Sequence, residues 1–283
     1  MAEKLSYYMR KKLEKQAAAS SGPTVIEQLT AETDEQIEER INERFEILSE
    51  MTEMAIGGDC RAVIVSGPAG LGKSYTVEKA LHEWDPEGDE HQIVKGYVRA
   101  TALFKLLYSH RRNGQVLVFD DADEVFTDDT ALNLLKAACD STDRRVISYM
   151  TEGVLQDEEG PLPKQFEFEG TVIFITNYDF DQMIDRGTKL APHLQALVSR
   201  AHYVDLAMKT KRDYMLRIKQ VIKQGLLENI KLTADEQADV VKFIDAHQGK
   251  LRELSLRMAL KIGTHRRKGG RWEARARVGC CKN

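Results

Sequence analysis

Residues 67–74 read Gly-Pro-Ala-Gly-Leu-Gly-Lys-Ser and follow directly on the apolar run AVIV at 62–65. The glycines at 67 and 72, with Lys73 and Ser74, satisfy the spacing G-x-x-x-x-G-K-[ST]. The chemistry of that spacing is anion capture. A strand ends, a helix begins, and free backbone N–H groups at the helix start face a negatively charged group. Glycine lets the main chain wrap closely around a phosphate, lysine reaches the terminal phosphates, and the hydroxyl holds a divalent ion. The loop Gly67, Pro68, Ala69, Gly70, Leu71, Gly72, Lys73, Ser74 and Tyr75 is therefore the candidate phosphate cradle. Such a cradle needs a carboxylate for the metal from a neighbouring strand. The stretch VLVFDDADEV supplies one, because its apolar residues end at Asp120. Asp121 follows, placed to orient or deprotonate an attacking water.

These groups need elements to hold them. Short apolar runs alternate with helical patterns: strands are expected at 61–66, 91–98, 115–120, 171–177 and 201–206, helices at 73–83, 100–112 and 128–139. Strands apolar on both faces and separated by helices imply a parallel sheet covered on two sides. The spacing of Ile37, Ile41, Phe45, Leu48 and Met51 predicts a helix over 34–56. Residues 144–170 interrupt the rhythm with two β-like stretches around an acidic middle rich in Pro and Gly, and read as a hairpin insertion. After 207 the β pattern stops, and three helical patterns follow near 210–227, 233–247 and 250–263. The expected fold is thus α/β: a three-layer αβα P-loop core with a parallel sheet, then a small all-α lid. The divisions are a basic arm and linker at 1–33, the core at 34–207, the lid at 208–263 and a basic tail at 264–283.

A P-loop, then FDDADEV, then a strand ending in Thr-Asn, then Ser-Arg, then a helical appendage resembles the AAA+ ATPase family over roughly residues 60–263. The resemblance implies ATP and Mg²⁺ as ligands, with Lys73 on phosphate and Ser74 and Asp120 on the metal. It implies Asp121 as the carboxylate that positions water, Asn177 as the first sensor of the γ-phosphate, and Arg200 as the finger reaching a neighbouring subunit's nucleotide. Arg252 is matched to the second sensor on the lid, with Arg257 as its rival. The family's metal strand usually continues Asp-Glu; here it is Asp120-Asp121, one methylene shorter, which suits slow or switch-like use of ATP. The resemblance further implies a ring oligomer, most often a hexamer, and ATP hydrolysis driving work on another molecule. The compact single-module plan is similar to bacteriophage-type and replication-associated members, which favours nucleic-acid remodelling.

Two segments are candidates for the grip on that molecule. KGYVRAT at 95–101 resembles a pore loop through Tyr97 and Val98, while Lys95 and Arg99 suit a nucleic-acid backbone. Residues 261–283 carry eight Lys or Arg against one acid, and Arg266, Arg267, Lys268, Arg271, Trp272, Arg275 and Arg277 form a basic run with an aromatic suited to stacking a base. Three other readings stay open: a protein-threading motor, an ATP-gated scaffold with negligible turnover, and a small-molecule P-loop kinase. Net charge is −4, which argues against polyanion binding by bulk field. The four cysteines show no metal-binding spacing. No apolar run reaches the roughly 20 residues of a membrane helix, and the N-terminus lacks a secretory apolar core, so no membrane partner and a cytoplasmic location (a host's, for a phage protein) are expected.

Overall fold

The computed structural model describes residues 32–157 and 160–282. The basic arm expected at 1–33 lies outside the described residues except for Glu32 and Thr33, and so do Glu158 and Glu159 of the acidic middle of 144–170. The elements are α1 (Asp34–Gly57), β1 (Ala62–Ser66), α2 (Lys73–Trp84), β2 (His91–Lys95), α3 (Ala100–Ser109), β3 (Val116–Asp120), α4 (Asp129–Ala138), β4 (Val146–Ser148), β5 (Gln165–Glu167), β6 (Thr171–Thr176), α5 (Phe180–Asp185), α6 (Ala191–Val198), β7 (His202–Asp205), α7 (Lys211–Lys223), α8 (Ala234–His247), α9 (Leu256–Arg267) and α10 (Trp272–Cys280).

Five strands form one parallel sheet in the order β2-β3-β6-β1-β7. Alternate residues of β1 serve opposite faces. Ala62 and Ile64 join a core with Phe104, Phe126 and Phe174, whereas Val63 and Val65 join one with Ile37, Ile41, Leu48 and Leu81. This is the three-layer arrangement that strands apolar on both sides require. β2 is shorter than the 91–98 run predicts, because Gly96 turns the chain with φ +84°. β4 and β5 pair antiparallel and bury Ile147 and Phe166 against the aromatic core.

α1 begins with a capping box, in which the Thr33 side chain accepts from the Gln36 amide and the Gln36 side chain accepts from the Thr33 amide. Its apolar stripe packs on the sheet while Arg40 pairs with Asp213 of α7 at 3.3 Å. The helical unit has its own core, including Ile218, Val240, Phe243, Ala259 and Ile262.

The segment 264–283 corrects the expectation of a separate basic tail. α9 continues to Arg267, the chain turns at Gly269 and Gly270 (φ +67° and +60°), and α10 folds back onto the helical unit. Trp272, Ala276 and Cys280 recur every four residues and so share one face. Ala276 and Cys280 are buried, and the Trp272 ring lies 5.5 Å from that of Phe243. The density of arginine hid this stripe in the sequence. The charge is also partly spent internally: Arg266 pairs with Glu236 at 3.1 Å and Asp239 at 3.0 Å, and Arg275 donates to the carbonyls of His265 and Gly269. No helix among the described residues is long and apolar enough to cross a membrane.

Candidate functional site

The parallel register sets Ser66 of β1 opposite Thr176 of β6, and Ile175 of β6 opposite Asp120 of β3. The carboxyl ends of three strands therefore share one edge, where a cleft forms in sheets of this kind. β6 lies between β1 and β3, so the strand carrying Asp120 is not the neighbour of the strand that leads into the loop. Both reach the same point because residues 67–72 carry the chain across the end of β6.

The loop needs its glycines. Gly72 sits at φ +106° just before α2, and its position provides no side-chain cap for the helix. The first-turn amides of α2 are thus left to an anion. Gly70 lies at φ +73°, and a Cβ there would fall 2.8 Å from Cβ of Ser255. This contact ties the loop to the helical unit, since the Leu256 amide donates to the Gly70 carbonyl at 2.7 Å.

Behind the loop, Lys73 is buried and donates to the carbonyls of Gly67 at 2.5 Å and Pro68 at 2.9 Å and to Oδ1 of Asn177 at 3.0 Å. Burial pulls its ammonium down to about 8, against the opposing pull of Asp121, Asp120 and Asp123. Asn177 uses its other end to donate from Nδ2 to Oδ1 of Asp121 at 2.7 Å. Asp121 stands in the left-handed region at φ +52°, with its amide bonded to the Ile175 carbonyl. A non-glycine residue held there is a locally strained one. Beside it, Ser74 donates from Oγ to Oδ1 of Asp120 at 2.8 Å, and Lys95 lies 3.3 Å from Oδ2. Asp123 accepts from the Thr176 hydroxyl at 2.5 Å, and burial pushes its carboxyl up.

These groups open into a cavity of about 970 Å³ between α1, α2 and the helical unit, lined among others by Phe45, Gly72, Lys73, Asp121, Asn177 and Arg257. The donor set fits a hard divalent ion, being a hydroxyl and a carboxylate oxygen side by side. No cluster of three or more acidic, His or Cys side chains able to hold a metal occurs among the described residues. The glycine backbone and bare helix start fit a phosphate chain in the same way.

The other expected residues separate. Tyr75 lines the cavity and is exposed. Arg252 does not line the cavity: its side chain is exposed and its amide is bonded to the Cys280 carbonyl. Arg257 lines the cavity instead, with Cγ 3.7 Å from where a Cβ on Gly70 would stand. The reason is the cap at Ser255, whose side chain accepts from the Met258 amide; the helix starts there, so Arg257 falls in its first turn and Arg252 precedes it. Arg200 is also outside the cavity lining; its guanidinium donates to the Ala196 carbonyl at 2.7 Å and to Asp140 at 3.4 Å. In the 95–101 segment Tyr97 is 68% exposed and Val98 is buried. Sequence reasoning missed Arg217, Phe45 and Asn42, all of which line the cavity. The available signal was Asp213, Arg217 and Gln220 at the core-facing spacing of α7.

No protein-family model matches the chain. The chain is 40% identical over 233 residues to the 36.7 kDa protein of the nrdC-mobD intergenic region of Enterobacteria phage T4, covering 82% of this chain and 71% of that one. Among solved structures it is similar to the Thermotoga maritima RuvB Holliday junction branch migration motor, with a TM-score of 0.50 at 14% identity over 84% of this chain and 68% of that chain. A point mutant of the same RuvB matches with a TM-score of 0.51 at 15% identity over 85% and 69%. The likeness is one of fold: a five-stranded parallel sheet with flanking helices and a helical region after it.

Proposed function

We propose that this chain, a member of the family of the 36.7 kDa phage T4 protein with the fold of the RuvB motor, is an ATPase that binds Mg-ATP at the 67–75 loop and hydrolyses it. The observation that carries this reading is the hydrogen-bonded path from Lys73 through Asn177 to Asp121. One polar amide touches both the group suited to the terminal phosphate and the group suited to the attacking water.

Each residue has a definite task. Loop amides and Lys73 hold the phosphate chain. Ser74 and Asp120 hold magnesium, which supplies charge neutralisation across the phosphates when bound. Asp121 orients the attacking water and accepts its proton at a carboxylate oxygen, with Asn177 fixing the direction of that carboxylate. Arg257 from the helical unit approaches the loop at Gly70. Arg200, outside the cavity of its own subunit, serves the site of a neighbour, so the working form is an oligomer, with a ring of six as the leading arrangement. Nucleic-acid remodelling is the leading task, in keeping with the branch-migration role of the RuvB proteins that share the fold. Exposed Tyr97 beside Arg99, whose guanidinium lies 5.9 Å from the ring, favours a second reading in which a polypeptide is gripped.

Lys73→Ala tests the binding half of this account. A charged hydrogen bond contributes roughly 1.5–3 kcal/mol, so the Kd for Mg-ATP should rise on the order of 50-fold. Because burial already disfavours the charged form of Lys73, the variant should melt within a few degrees of wild type. An unchanged Kd in a calorimetric titration would remove the loop from the account.

A further inference from the structure

One charged group in the cavity has no task in the chemistry above. Arg217 of α7 is 7% exposed. Its guanidinium carbon stands 3.6 Å from the centre of the Phe45 ring. One terminal nitrogen donates to Oε1 of Gln220 at 3.0 Å, and Gln220 donates in turn to Oδ1 of Asn42 at 2.6 Å. Nε has no acceptor among the described residues, and no carboxylate there pairs with the guanidinium. Arg40, which joins the same two helices, is by contrast paired with both Glu32 and Asp213. An arginine buried without a counter-charge is costly, and burial alone pulls Arg217 down to about 10.

The position of this cation is informative. Its other terminal nitrogen lies 3.7 Å from where a Cβ on Gly72 would stand. Arg217 therefore flanks the loop at the start of α2, two residues along from the point that Arg257 approaches. A planar, permanently charged fork with an unused N–H edge suits a phosphate oxygen.

We propose that Arg217 is a nucleotide-binding residue, its guanidinium meeting the phosphate chain of the bound nucleotide beside Gly72 and so drawing the helical unit against α1 and α2. The proposal rests on the nucleotide reading of the cavity. It adds a second arginine of the helical unit to the site, positioned by Phe45, Gln220 and Asn42.

The test compares Arg217→Met and Arg217→Lys with wild type, in calorimetric titrations with Mg-ADP and in melting without nucleotide. Arg217→Met should weaken Mg-ADP at least about tenfold, yet melt at or above the wild-type temperature, because it removes a buried charge that no carboxylate pairs. Arg217→Lys should recover part of the lost affinity. Affinity within twofold of wild type in Arg217→Met overturns the proposal. So does weaker binding accompanied by a melting temperature several degrees lower, which marks a packing role. If Arg217→Met does not fold, Arg217→Gln takes its place under the same criteria. Wild-type protein that binds no Mg-ADP would instead bring down the nucleotide reading itself, and this proposal with it.

Discussion

Arg200→Ala is expected to leave Mg-ATP binding intact and to lower turnover by about 1,000-fold, the lower end of what an arginine stabilising a phosphoryl-transfer transition state contributes. The argument starts from where the residue is not. Arg200 does not line the cavity of its own chain, and it is fixed at the end of α6 by the Ala196 carbonyl and Asp140. It is partly exposed there, with its side chain at 33%, so a neighbouring chain can receive it. On the proposed role in trans, loss of the guanidinium removes charge stabilisation from another subunit's reaction and nothing from its own binding. Mixing tells this apart from damage to the fold. An assembly of Arg200→Ala with a variant disabled at the water-positioning carboxylate should regain part of the activity, since some interfaces then hold an intact Arg200 facing an intact Asp121. Steady-state phosphate release across mixing ratios measures it, and no recovery at any ratio would exclude a role in trans.

Asp121→Asn is expected to lower the hydrolysis rate by about 1,000-fold, within the range a positioned general base contributes, while ATP stays bound. The choice of asparagine follows from the backbone. Asp121 sits at φ +52°, a conformation that asparagine tolerates better than most residues, so the amide bond to Ile175 should survive. The charge is lost, and with it the acceptor for a proton. Single-turnover assays separate this step from product release. A variant that hydrolyses ATP at the wild-type rate would move the base elsewhere, and Asp123 is then the next acid in reach, held near Asn177 by Thr176.

The local placement of the candidate residues is legible in the sequence; distant packing is not. Lys73, Ser74 and Asp120 could be picked out because each stands at the end of an apolar run or in a fixed loop spacing, and both features lie within a few residues. Asn177 was visible as the polar stop after VIFIT. The order of the sheet was not visible, because nothing in the spacing of VLVFD and TVIFIT says that β6 enters between β1 and β3. The last helix is not legible because a stripe of Trp272, Ala276 and Cys280 is short and interleaved with arginine. The choice between Arg252 and Arg257 depended on where a helix begins, which Ser255 decides by capping it. Arg217 is hidden most deeply: its burial depends on Phe45 and Asn42, some 170 positions away, and its core-facing spacing with Asp213 and Gln220 is a faint signal because three polar residues do not make an apolar stripe.

The most direct test of the central claim is an equilibrium titration of the wild-type chain with ATP, with and without magnesium, followed by calorimetry under conditions where the chain is folded and free to assemble. The account predicts saturable binding of one ATP per chain, tighter with magnesium than without. Absence of binding at millimolar ATP and magnesium would contradict it.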